Sequence, residues 1–437
     1  MFFSADDGVT GRELWITDGT AAGTVLVRDI REGRYSGHPS TFTPVSGGRW
    51  VFSANDFFHG FELWITDGTP TGTELLRDIS PGEYSSLPEY FTALDDGRVL
   101  FVADDTRLQS TAFRKLWVTD GTTDGTVLVR DIFPAWRGVG LATFTPFGNG
   151  RALFLVDDGT HGREPWVTDG TAEGTMLLAD FKPGPGSSFP RQFAALGDGR
   201  ALFVVDDDSL GFEIWVTDGT ATGTGLVRAS PSRYGRINPG DFTPIGSGRA
   251  LFVASDSTHG SELWITDGTP TGTVLLRDIN PIRVYNYASV IAFGSYPVEL
   301  TPIGDGRVLF RADDGSTGYE LWITDGTPAG TVMVRDINPG PYQSMPGDFT
   351  PLGNGRVLFS AYSGTTGREP WITDGTPGGT LLLRDINPAM GSPTFGALGA
   401  SNPSYFTPLG DGRAVFVADD GTHGRELWVT DGTPAGT

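Results

Sequence analysis

Glu13-Leu14-Trp15-Ile16-Thr17-Asp18-Gly19-Thr20 returns, lightly varied, eight more times along the chain. Its tryptophans fall at Trp15, Trp64, Trp117, Trp166, Trp215, Trp264, Trp322, Trp371 and Trp428. Five of the eight intervals are 49 residues and the others are 53, 58 and 57, so one unit is copied nine times. A period of this length points to propeller blades or solenoid turns.

Residues 42–79 serve as the model copy. Four runs of strand character follow one another: Phe42-Thr43-Pro44-Val45, then Arg49 to Ala54, Glu62 to Thr66, and Thr73 to Ile79. Ser46-Gly47-Gly48 joins the first pair and Asp67-Gly68-Thr69-Pro70-Thr71-Gly72 the last pair, both of them turn sequences. This predicts a four-stranded antiparallel meander, with no helical period anywhere. In the third run Leu63, Trp64 and Ile65 are consecutive, which puts apolar side chains on both faces of the sheet. Both faces must then be covered, as they are when blades stack radially.

The expected fold class is therefore all-β, a β-propeller of four-stranded antiparallel blades. Residues 1–30 supply strands two to four and residues 406–437 strands one to three. The complete blades are 42–79, 91–132, 144–181, 193–229, 242–279, 300–337 and 349–386. This gives 34 strands, against about 32 for eight such blades and about 36 for nine. The end pieces duplicate strands two and three, so nine blades are favoured over eight, with an open superhelical array as the alternative. A uniform repeat predicts one array without an internal boundary.

Other positions keep step with the tryptophan. Phenylalanine recurs in strand two, from Phe3 and Phe52 to Phe416, and an arginine opens that strand from Arg49 to Arg413. Glutamate stands two residues before the tryptophan in all copies but one, where Lys115 replaces it. Glu13 and Arg28 are expected to form a repeated polar clasp. Pro165 and Pro370 lack an N–H to donate and are expected at the very start of their strands.

Composition narrows the function. With 31 basic against 53 acidic residues the formal charge is −22, which repels phosphate backbones and anionic lipid, so nucleic acid is not an expected partner. The absence of cysteine excludes disulfides and cysteine metal sites. No stretch approaches the roughly 20 apolar residues of a membrane helix, so membrane insertion is not expected. Met1-Phe2-Phe3-Ser4-Ala5-Asp6-Asp7 is no signal peptide, lacking a basic start, and matches the middle of a copy. The chain is thus expected to be a segment of a longer protein.

In such a meander the one-to-two and three-to-four turns share one face, and the two-to-three turns and crossovers share the other. Every length change falls on the second face: around Arg107-Leu108-Gln109-Ser110, from Pro281 to Val298, and from Ala389 to Ser404. Repeat proteins place insertions on their binding face. The candidate ligand-binding residues are the crossover aromatics Tyr35, Tyr84, Trp136, Tyr234, Tyr285, Tyr287 and Tyr342, with Arg233 and Arg283 beside them. Aromatics with planar donors stack on sugar rings or anchor proteins; the same rings also suit plain filling between blades.

The nine aspartates from Asp18 to Asp431 are equivalent in every copy, whereas an active site breaks symmetry. Their expected work is to accept backbone amides in the turn. Paired aspartates, Asp6-Asp7, Asp104-Asp105, Asp157-Asp158, Asp313-Asp314 and Asp419-Asp420, are candidates for calcium, which needs six to eight oxygens. His59, His161, His259 and His423 share one turn position in non-adjacent copies and do not converge as a zinc site requires. No nucleophile elbow occurs, and no catalytic residue or other cofactor is assigned.

The octet followed by Asp-Gly-Thr-x-x-Gly-Thr resembles the bacterial ELWxxDGT repeat family, also called hyalin-like repeats, over essentially all 437 residues. Lys115-Leu116, Pro165, Glu213-Ile214 and Pro370 depart from its pattern. The resemblance implies a secreted or cell-surface repeat protein and implies no reaction. The expected function is a non-enzymatic binding or adhesion scaffold that recognises a glycan or protein on the crossover face. A propeller-type enzyme acting on polysaccharide and a purely structural spacer are the alternatives.

Overall fold

The computed structural model describes residues 1–107, 114–131, 144–206, 211–229, 242–285, 290–388 and 399–437. The chain is all-β, built from antiparallel sheets of propeller-blade type. Among the described residues, seven four-stranded sheets lie between a three-stranded first and a three-stranded last sheet, as the strand count from sequence anticipates. The long crossover after the sixth sheet adds a hairpin of its own, Arg283–Tyr285 with Val290–Ala292.

Contacts gather into two compact units, Met1–Ser209 with Trp215–Leu226, and Leu210–Ile214 with Val227–Thr437. The division runs through the fifth sheet, where the sequence predicts no boundary. Each sheet in a stacked array touches only its neighbours, so compactness is a local property of the array. Within each unit successive first strands pack together, Ser40–Val45 on Glu89–Ala93 in one and Gly347–Pro351 on Ser404–Pro408 in the other.

The octet explains the stacking. In the second sheet Leu63, Trp64 and Ile65 are all buried, and they face opposite ways. Leu63 and Ile65 pack with Phe101 and Trp117 of the third sheet, while Trp64 packs with Leu14 and Val27 of the first. Phe52 lies directly across from Trp64 with ring centroids 6.5 Å apart, and Phe42 follows at 5.4 Å from Phe52. The strand-two phenylalanines from Phe52 to Phe416 are completely buried, the cross-strand aromatic pairing that holds one blade face.

The Asp-Gly-Thr turn works as anticipated in all nine copies. Asp67 Oδ1 accepts the Thr69 N–H at 2.8 Å and its hydroxyl at 2.7 Å, and the Thr69 hydroxyl in turn accepts the Gly72 N–H. Gly68 sits at φ 90°, where a side chain is strained, and a Cβ on Gly72 would overlap the Asp67 carboxylate. Both glycines are therefore required, for different reasons.

Two expectations need correcting. Glu62 does not pair with an arginine: its carboxylate takes the Ile79 and Ser86 amides and the Ser86 hydroxyl at 2.7–2.9 Å, pinning the outgoing crossover to strand three. Glu13 likewise holds the Ile30 and Gly37 amides. The arginine reaches forward instead, Arg28 lying over Trp64 of the next sheet and donating to Thr73 O. Where lysine replaces the glutamate, Lys115 pairs with Asp105 at 2.9 Å and Asp131 at 3.5 Å.

Pro165 and Pro370 lie inside Arg163–Thr168 and Gly367–Thr373, not at their starts. Their carbonyls accept the Leu178 and Leu383 amides, so the missing N–H faces strand four. The loss is absorbed there: those fourth strands, Met176–Leu177 and Leu381–Leu382, have two residues where Glu74–Arg77 has four.

Candidate functional site

Crossovers and two-to-three turns do share a face, since the Asn55 amide, entering the turn, donates to Gly37 O in the crossover. On that face, in the first unit, a cavity of about 550 Å³ opens between the first two sheets. Arg28, Arg31, Tyr35, Phe57, Phe58 and Trp64 line it. Tyr35 comes from the crossover, whereas Phe57 and Phe58 come from the two-to-three turn of the second sheet.

The turn is built by side-chain caps. Asn55 Oδ1 accepts the Phe57 N–H, and Asp56 Oδ1 accepts those of Phe58 and His59. Asp56 Oδ2 lies 2.7 Å from His59 Nδ1, which raises the imidazole pKa. The same caps form at Asp6-Asp7 and Asp157-Asp158, where the third position is Gly8 at φ 79° and Gly159 at φ 78°. Phe57 adopts φ 79° there. A bulky residue in this region is strained by about 1–3 kcal/mol, and such strain gathers at functional sites.

Twelve of the other non-glycine residues with positive φ occupy two repeated positions, as His38 and Leu87 do before proline and Thr41 and Tyr90 do at a strand-one bulge. Strain that recurs in this way belongs to the fold. That at Phe57 replaces a glycine found in other copies.

Phe57, Phe58 and Tyr35 are 61, 71 and 62% exposed, so burial does not account for them. Phe57 and Phe58 meet edge to face at 5.7 Å. The Arg31 guanidinium lies 5.2 Å from the Tyr35 ring centre and 5.1 Å from that of Phe57. The site thus offers wet aromatic faces, a stacked planar cation and a concave floor under Trp64.

Of the candidate ligand-binding residues named from sequence, Tyr35 alone among those described lines this cavity. Tyr84 is exposed, with Arg107 over its ring at 5.9 Å, and Tyr342 is 67% exposed on the crossover after the seventh sheet. Arg283 is engaged internally, with Asp278 at 2.7 Å and with the Asn280 and Ile282 carbonyls. Tyr285 ends its hairpin strand opposite Val290. Trp136, Arg233, Tyr234 and Tyr287 lie outside the described residues. Phe57 and Phe58 stand in a two-to-three turn, whereas the aromatics that sequence points to are those of the crossovers. The signal was Asn55-Asp56-Phe57-Phe58-His59-Gly60 set against Asp157-Asp158-Gly159-Thr160-His161-Gly162.

The paired aspartates spend oxygens on their own turns. Asp6 accepts the Gly8 amide, Asp7 those of Val9 and Thr10, and Asp158 those of Thr160 and His161. Asp313 and Asp314, and Asp419 and Asp420, accept the amides of Gly315, Ser316, Gly421 and Thr422 in the same way. Among the described residues no group of three or more histidine or acidic side chains converges on a metal position.

A second cavity of about 410 Å³ lies in the other unit, lined by Glu299, Asp348, Phe349 and Tyr405. Its carboxylates are occupied. Glu299 pairs with Arg311 at 3.1 Å and takes the Asp348 N–H, and Asp348 accepts the Ser360 hydroxyl at 2.8 Å.

No family model matches the chain, and no curated protein matches it. Solved structures with similar chain paths include a puromycin hydrolase S511A mutant complexed with PGG, at 14% identity and TM-score 0.38, covering 88% of this chain and 59% of that one. One of two prolyl endopeptidases follows at 12% identity and TM-score 0.40, covering 87 and 54%. TolB from Acinetobacter baumannii stands at 11% and 0.31, covering 62 and 61%. This chain spans under two thirds of each, and at such TM-scores the peptidases' chemistry does not transfer to it.

Proposed function

We propose that the chain is a non-enzymatic binding scaffold of a secreted or cell-surface protein, recognising a glycan on its crossover face through Tyr35, Arg31, Phe57 and Phe58. The observation that carries this reading is Phe57, held at φ 79° where other copies place glycine, with its ring exposed. Two adjacent wet rings beside a planar cation suit the flat apolar face and hydroxyl rim of a pyranose. The repeated Asp-Gly-Thr turns and the glutamate contacts to the crossovers make the blades a rigid support for the pocket. Neither a cofactor nor nucleic acid enters the reading, and the family resemblance supports the extracellular setting.

A glycan-array screen of the chain tests it. Retained glycans should be lost when Tyr35 or Phe58 is changed to alanine. Retention unaffected by both changes would remove this pocket from the account.

A further inference from the structure

The Arg31 guanidinium is stacked but not paired. Among the described contacts it makes none besides those with Tyr35 and Phe57, neither of which takes its N–H donors. The neighbouring acid does not neutralise it: Asp56 gives one oxygen to the Phe58 and His59 amides and the other to the His59 ring. Arg28 behind it is spent, donating to Thr73 O and lying 5.8 Å from the Trp64 ring centre. Glu32, exposed at the rim, is the remaining acid of the cavity. A partly buried, unpaired cation is therefore displayed in a chain whose formal charge is −22.

A guanidinium lying over two rings is restrained by both, while its N–H donors are taken by neither. That geometry matches a carboxylate, which accepts two parallel N–H bonds, better than a lone hydroxyl. Phe58, set edge-on to Phe57 and 71% exposed, supplies the adjoining platform for a sugar ring. Resting on the glycan reading above, we infer that the pocket selects a carboxylated sugar, a uronic acid unit whose ring stacks on Phe58 while its carboxylate meets Arg31. Carboxylate-to-arginine contacts desolvated against aromatic rings are worth more than the same contacts in open water, which offsets the long-range repulsion from an acidic protein.

Isothermal titration calorimetry on the whole 437-residue chain tests this with galacturonate, glucuronate and mannuronate tetramers, their methyl esters, neutral hexose tetramers, a sulfated hexose tetramer and a polyglutamate peptide. At least one uronate should bind tenfold or more tightly than its own methyl ester, which keeps the ring and removes the charge. Arg31→Gln should erase that preference, bringing the acid's affinity down to that of its ester, and Arg31→Lys should keep part of it. Equal binding of acid and ester, or a preference surviving Arg31→Gln, overturns the carboxylate assignment but leaves the glycan reading standing. Equal binding of the sulfated tetramer overturns it in favour of charge alone. Tighter binding of polyglutamate, or no binding by any saccharide, overturns the glycan reading itself.

Discussion

Phe57 holds the backbone conformation of Gly159: φ is 79° at one and 78° at the other, in turns capped by equivalent aspartates. Phe57→Gly should therefore stabilise the fold by about 1 kcal/mol, the release of strain being partly offset by the lost Arg31 contact. Chemical denaturation followed by tryptophan fluorescence measures it. A destabilised variant would show that the phenylalanine serves the fold.

Stacking between sheets has its own test in Arg77, whose guanidinium lies 5.7 Å from the Trp117 ring centre and donates to Thr126 O at 2.6 Å and Thr123 O at 3.1 Å. Arg77→Ala should destabilise by about 2 kcal/mol through the lost cation–π contact and hydrogen bonds. Hydrogen exchange should localise the change to the second and third sheets, because an array transmits little beyond nearest neighbours. Uniform loss of protection along the chain would contradict this.

Gly72 and Asp67 should be energetically coupled. Gly72→Ala drives a Cβ into the Asp67 carboxylate and should destabilise by about 1–3 kcal/mol. In an Asp67→Ala background the clash is gone and the same change should cost much less. Additive effects in this double-mutant cycle would mean that backbone strain, not the carboxylate, fixes the glycine.

The buried glutamates give the fold an unusual pH dependence. Burial pushes Glu13, Glu62 and Glu320 up to about 7 from an ordinary 4.5, against the amide donors that pull them down. Ser86 and Ser344 hydroxyls, beside Glu62 and Glu320, can turn to accept the added proton. The folded state then binds protons more tightly than the unfolded one, so this contribution is full below about pH 4.5 and is lost as pH rises through about 7. Turn aspartates such as Asp120 and Asp218, lowered by their threonine hydroxyls, act oppositely and lose their contribution on acidification below about pH 4. Melting temperature should rise from pH 8 to pH 5, and Glu62→Gln should flatten that rise. A melting temperature that falls over this interval contradicts the assignment.

The residues that make the blades were legible from sequence because they repeat. Trp64, Phe52 and the Asp67 turn each announce their role nine times over, and the strand order follows from the turns between them. The partners of Glu62 were not legible, since its donors are chiefly backbone amides, which leave no residue type to read. Pro165 misled because its position depends on which edge of the strand lacks a donor, and that is set by the register. Phe57 was hidden for the opposite reason: it stands in one of the turns that depart from the glycine of Gly8, Gly159, Gly315 and Gly421, and is visible only when each turn is compared with its copies.

The central claim is that the repeated positions serve the fold and the interruption at Phe57-Phe58 serves binding. Converting Phe57→Gly with Phe58→Thr gives this turn the residues of Gly159-Thr160. Titration calorimetry with the oligosaccharide most strongly retained on the array, run beside a melting curve, measures both consequences. The account predicts at least a tenfold loss of affinity with an equal or higher melting temperature; unchanged affinity, or lost affinity with a lowered melting temperature, would contradict it.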